Sequence, residues 1–237
     1  MTSSDPSAER SSEPWFADAR TAARIRAGGR VLMLTASSPD QVHAVLASIG
    51  EDGSLTVLEP DRDRAAALDG IRHPGLAVLS YEPDGQEVFG THDALLACPP
   101  ASPSWPLNRY GELALRNLRP GATFVLDLPA ADSCPIVRDE ATALGLASES
   151  LKGLQGPGTG GLVRLLRADG LRNVEASTAT HLVRFENPHA LARHVGRVLP
   201  NLDEAAIASL QLAFARRFAT NDAIEVPFHR ERIVAMR

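Results

Sequence analysis

The stretch at residues 30–61, RVLMLTASSPDQVHAVLASIGEDGSLTVLEPD, constrains the fold of this chain more than any other. Val31-Leu32-Met33-Leu34 is a short, unbroken apolar run, the pattern of a strand buried on both faces. Residues 35–39 supply a turn, in which Ser38 stands where a helix N-cap belongs and Pro39 suits the first helical position. Val42, Val45, Leu46 and Ile49 recur at helical spacing, and Gly50 is a natural stop. A second apolar run, residues 55–58, follows, with Glu59 at its C-terminal end. Such a unit puts a helix N-terminus and a carboxylate on one edge of a parallel sheet. That edge is where open α/β sheets bind ligands.

Composition narrows the class. A chain of 237 residues can bury one sizeable core with additions. Its 44% hydrophobic and 22% charged content is that of a soluble globular protein. A formal charge of -5 gives no reason to expect nucleic acid or an anionic membrane as partner. No apolar run is long enough to span a bilayer, and residues 1–14 lack an apolar signal core and read as a disordered tail. The expected compartment is the cytoplasm. Cys98 and Cys134 are too few for a disulfide framework or a metal site.

The rest of the chain continues the alternation. Residues 14–27 read as a helix whose stripe includes Trp15, Phe16, Ala19, Ala23 and Ile25. Residues 61–69 make a helix, with Asp61 or Asp63 facing its N-terminal dipole, and residues 76–80 a third strand. Residues 94–98 form a fourth strand, ending in Pro99-Pro100; residues 107–118 form a helix and residues 123–128 a fifth strand. Residues 136–146 suit a helix, and residues 155–161, rich in glycine, a lid or connector. The phosphate-loop pattern is absent there. Residues 162–171 read as an amphipathic helix, 173–185 as strand six, and 188–199 and 203–218 as two further helices. Residues 225–228 and 232–235 read as two pieces of a last strand.

Three motifs in this order resemble one family. The strand–helix–strand unit ending in Glu59 is similar to the nucleotide-binding half of class I S-adenosylmethionine-dependent methyltransferases. His92-Asp93-Ala94-Leu95-Leu96 stands where that family has Phe-Asp-x-Val, and Leu115-Arg116-Asn117-Leu118-Arg119-Pro120-Gly121-Ala122 is close to its R-x-L-x-P-G-G turn. The resemblance implies an α/β, Rossmann-like three-layer sandwich with a seven-stranded, mostly parallel sheet and an antiparallel last strand. It implies one domain over residues 15–237, with a lid at 129–161 and a helical cap at 188–220. It also implies S-adenosylmethionine as cofactor, held by Thr35, Ala36, Ser37, Glu59 and Pro60, with Glu59 on the ribose hydroxyls. Glu82 and Asp84 are its candidates for adenine.

The first motif departs from the family's V-L-D-L-G-x-G-x-G. Met33 replaces the acid, and Thr35, Ser37 and Pro39 replace the glycines. Glycine serves there because the backbone turns tightly and approaches the cofactor closely. Two readings follow: a divergent methyltransferase acting on a small molecule, or a methyltransferase-like protein without methyl transfer, serving as partner subunit or binding protein. A homodimer is a candidate assembly if the inserted helices expose an apolar stripe.

Methyl transfer needs mainly proximity and orientation, at times with a base for the acceptor. His194 and Tyr110 are the candidates for that role, with His92 at the wrong end of its strand. Asp40 follows the motif turn. A G-x-S-x-G elbow and clustered zinc ligands are absent from the sequence, and no G-x-G-x-x-G follows strand one.

Overall fold

The computed structural model describes residues 14–36, 38–81, 87–99, 106–146, 148–199, 201–219 and 222–237. In chain order the elements are α1 (Pro14–Ala22), β1 (Arg30–Leu34), α2 (Pro39–Ile49), β2 (Ser54–Glu59), α3 (Arg62–Asp69), β3 (Leu76–Ser80), β4 (His92–Ala97), α4 (Leu107–Asn117) and β5 (Leu118–Pro129). There follow α5 (Pro135–Ala143), a 3-10 turn (Ser148–Leu154), α6 (Thr159–Ala168), β6 (Arg172–Phe185), α7 (Pro188–Val198), α8 (Glu204–Phe218) and β7 (Ile224–Met236).

The strands form one sheet in the order β3-β2-β1-β4-β5-β7-β6. All are parallel except β7, which runs antiparallel to both β5 and β6. This is the expected seven-stranded, three-layer α/β sandwich. β1 shows why its sequence is apolar throughout. Val31 and Met33 enter one core with α1 and α2, while Leu32 and Leu34 enter the other with α4 and α6. Each such burial is worth roughly 1.5–3 kcal/mol, and together they fix β1 between two layers of helix.

Local chemistry sets the helix ends. Ser38 takes the N-cap position of α2 with extended backbone, but its side chain makes no capping bond; Pro39 occupies the first turn. Gly50 ends the helix at φ 67°, its N–H returning to Leu46 O. Asp61 caps α3 through bonds from the backbone N–H groups of Asp63 and Arg64. Asn187 and Asp203 cap α7 and α8.

Three readings of the sequence are corrected. β5 begins at Leu118, directly after α4, and bulges between its pairings with His92 and Ala94; Gly121 at φ 80° lies in that bulge. β7 is one continuous strand, because Arg230 and Glu231 remain in register with Pro129 and Leu128. The helix read at residues 162–171 begins earlier, at Thr159, so Gly160 and Gly161 lie in its first turn. Gly156 is packed hard on the sheet: a Cβ there would stand 1.7 Å from Pro129 O, and its N–H bonds to Ala130 O.

β6 and β7 pair as far as Phe185 and Ile224, whereas β5 ends opposite Arg230. The ribbon therefore overhangs the C-terminal edge of the parallel strands. Leu191, Val195, Leu210 and Phe214 of α7 and α8 bury their side chains in the same core as Phe185, Val226 and Phe228 of that ribbon.

Candidate functional site

Glu59 and Thr35 end adjacent parallel strands, with Leu34 paired to Leu58. Thr35 N–H donates to Leu58 O at 2.9 Å, and Tyr81 N–H donates to Glu59 O at 3.1 Å, so the ends of β1, β2 and β3 are tied together. Thr35, Ala36, Glu59 and Pro60 lie at this one edge, as the sequence motif requires. Ser37, Glu82 and Asp84 fall outside the described residues.

Glu59 has no exposed surface. Its Oε1 accepts three N–H groups: Asp61 N at 3.0 Å, Arg64 Nε at 3.2 Å and Arg64 Nη2 at 2.9 Å. Its Oε2 is buried and, among the described residues, has no hydrogen-bond partner. A buried carboxylate oxygen without a donor costs free energy, on the order of 1–3 kcal/mol or more. Such a group in a native fold calls for an explanation, and a ligand hydroxyl at a strand end is one.

Thr35 has φ 58°. The left-handed region is the one a glycine occupies freely and a β-branched residue avoids. The backbone thus makes the glycine turn without the glycine. Met33 is fully buried in the core beside α2, and Pro39 is exposed on the first turn of that helix. Asp40 is exposed beside it.

The candidate bases stand in different parts of the fold. Tyr110 is buried in the core between α4 and the sheet, and burial pushes its phenol up, away from any role as a base. His194, on α7, packs edge-on to Phe185 and Phe228. His92 opens β4 at the opposite edge, where its Nδ1 is 3.2 Å from Asn117 O and burial holds its pKa below the ordinary value. His229 Nδ1 lies 3.0 Å from Thr180 Oγ1.

A second polar cluster, not singled out from the sequence, lies along the same edge at β5 and β7. Asp127, fully buried, accepts Arg230 Nε at Oδ1 and Arg232 Nε at Oδ2, both at 2.8 Å. Arg230 Nη2 also donates to Asp127 O at 2.8 Å and Pro99 O at 2.9 Å. Its guanidinium stacks on Trp15, 4.9 Å from the ring centroid, and Arg232 Nη2 donates to Trp15 O at 3.2 Å. Trp15 meets His181 of β6 edge-on, their centroids 6.1 Å apart. Alternation along β7 was the available signal, since Phe228, Arg230 and Arg232 share one face.

Among the described residues there is no cluster of His, Cys, Asp and Glu suited to a metal ion, and no helix long and apolar enough to cross a membrane. No protein-family model and no curated protein matches the sequence. Solved structures do match in fold. A protein of Anabaena variabilis ATCC 29413, assigned as a methyltransferase from an antibiotic biosynthesis pathway, superposes with a TM-score of 0.66 at 12% identity, over 94% of this chain and 96% of its own. The cyclopropane synthase MmaA2 from Mycobacterium tuberculosis gives 0.54 at 14%, over 93% and 82%. A SAM-dependent O-methyltransferase of Thermotoga maritima gives 0.53 at 10%, over 95% and 65%. At these identities the likeness is one of fold, and the fold is that of the class I methyltransferases.

Proposed function

We propose that this chain binds S-adenosylmethionine at the β1–β2 edge and transfers its methyl group to a small molecule. The observation that carries the reading is Oε2 of Glu59 at the end of β2, buried and without a hydrogen-bond partner among the described residues. A ribose hydroxyl donating to that oxygen would satisfy it, and a hydrogen bond to a charged acceptor is worth about 1.5–3 kcal/mol. Thr35 and Ala36 would bring backbone to the cofactor, as glycines do in the family, and Pro60 would border the ribose.

When bound, the cofactor supplies an electrophilic methyl group on a sulfonium. The chain's part is to bind and orient. Proximity and alignment alone contribute several kcal/mol to such a displacement. The overhanging β6–β7 ribbon, with α7 and α8 on it, would cover the acceptor.

The second reading, a methyltransferase-like protein without methyl transfer, draws on Met33 and the replaced glycines. The left-handed backbone of Thr35 speaks against it, because the strained turn is retained and strain of this kind persists where the surroundings enforce it. Calorimetric titration of S-adenosylmethionine and S-adenosylhomocysteine decides, with Glu59→Ala as control. Micromolar binding that is lost in the variant supports the proposal. Absence of heat at millimolar ligand overturns it.

A further inference from the structure

We infer that Arg64 is the positioning residue of this site: its two N–H groups hold Oε1 of Glu59 and so present Oε2 as the acceptor for a ribose hydroxyl of the ligand. This rests on the cofactor reading above and adds the residue that sets its selectivity for hydroxyls.

The geometry starts at the cap of α3. Asp61 is the N-cap, so Arg64 is the third helical residue, on the first turn. Arg64 is tied at both ends. Its backbone N–H donates to Asp61 Oδ1 at 3.0 Å, and its guanidinium reaches back past the cap to Glu59. Asp61 closes the loop with its own N–H on the same Oε1. All three donors fall on one oxygen, and the other, although buried, has no partner among the described residues. A carboxylate with two equivalent oxygens can turn and share its donors between them. Nε and Nη2 of one planar guanidinium on a single oxygen oppose that turn, because the fork is rigid.

Charge completes the argument. Arg64 balances Glu59, so the pair offers a ligand no net charge. What remains is one acceptor, suited to a neutral hydroxyl and giving little advantage to an ammonium group. Glu59 is fully buried and the Arg64 side chain is 44% exposed, so removing the guanidinium leaves a buried carboxylate short of its counter-charge. Recognition is therefore read from ligand ratios, and from Arg64→Lys, which keeps the charge.

The test pairs ligand deletions with side-chain variants. Adenosine, 2′-deoxyadenosine and 3′-deoxyadenosine are titrated into wild type, Arg64→Gln and Arg64→Lys, with melting temperatures recorded in parallel. Wild type is expected to bind adenosine at least tenfold more tightly than the weaker deoxy analogue. In Arg64→Gln that ratio falls to about threefold or less, beside a lower melting temperature from the unpaired buried carboxylate. Arg64→Lys, a single point charge without the fork, gives an intermediate ratio. It also carries the decision if the Gln variant melts much earlier. Wild-type discrimination preserved in both variants overturns the role of Arg64 and leaves the cofactor reading standing. Failure of wild type to bind adenosine or S-adenosylhomocysteine overturns both.

Discussion

Glu59 and Asp127 stand near the C-terminal ends of two parallel strands in one sheet, each without exposed surface and each held by arginine. They are finished differently. Asp127 has a guanidinium on each oxygen, and the cluster extends to Pro99 O and the ring of Trp15. Glu59 has three donors on one oxygen and, among the described residues, none on the other. Its arginine is 44% exposed, whereas Arg230 is 2% exposed. A buried carboxylate whose two oxygens are both bonded is complete as a piece of structure. One left half-bonded at a strand end is prepared for something else. The same residue chemistry thus separates a keystone of the fold from a candidate site.

The comparison can be broken most forcefully at Asp127. Asp127→Ala leaves Arg230 buried without its counter-charge, which costs about 3–5 kcal/mol. At roughly 2–4 °C per kcal/mol for a chain of this size, scanning calorimetry should find the melting temperature lowered by roughly 10 °C. A change under 2 °C would mean that the cluster is ornamental. Glu59→Gln should behave in the opposite sense. Affinity for S-adenosylhomocysteine falls at least about tenfold, corresponding to about 1.4 kcal/mol or more. Its melting temperature falls by less than half the shift seen for Asp127→Ala. If the two variants show equal loss of stability, the contrast is wrong.

Thr35→Gly sharpens the picture at smaller scale. Relief of a left-handed β-branched residue is worth about 1–2 kcal/mol, less the added chain entropy of glycine, about 0.4–1 kcal/mol. The expected melting temperature rises by roughly 1–3 °C. A fall instead would show that the Thr35 side chain anchors the turn.

The smallest effect is on pH. Burial holds His181, beneath Trp15, below its ordinary value, with Arg232 and Arg230 adding to that direction and Asp127 and Asp18 opposing it. The unfolded chain then takes up the proton first as pH falls. The stability from the neutral ring is complete above about pH 6.5 and is lost as pH falls from there toward the folded value. His92, at the far edge, shifts in the same direction. Asp61 is lowered, chiefly by the Arg64 backbone N–H, so its cap persists above the ordinary carboxylate range and fades only in acid. Melting temperature should therefore drop between pH 7.5 and pH 5.5. His181→Phe should flatten part of that slope, and the wild-type slope unchanged in that variant would exclude His181 as its source.

The sequence made the Glu59 side legible and left the Asp127 side dark, for a physical reason. Strand, turn, helix and acid at residues 30–59 are adjacent along the chain, so periodicity and turn chemistry suffice to place them. Arg230 reaches a carboxylate 103 residues away and a carbonyl 131 residues away. Nothing local foretells such partners. β7 was read in two pieces for the same reason: its central charges look like an interruption until the opposing strand is known. Arg64 was hidden differently. It lies on a helix that was recognised, but an arginine in a first turn reads as solvated surface until Glu59 is seen to have one oxygen spare.

The position of β7 also dictates a schedule. It is the last strand in the sequence, yet it lies between β5 and β6. As the chain emerges during synthesis, β6 is made, then α7 and α8, while β6 still has no strand beside it. Asp127 likewise waits, because both of its arginines arrive on β7. The five strands from β3 to β5 can assemble early. Closure of the sheet and neutralisation of its buried carboxylate then occur together, in one late and non-local step of the kind that limits folding rates. An interruption of synthesis before residue 224 would leave two unpaired strand edges and a bare buried acid, a state open to aggregation.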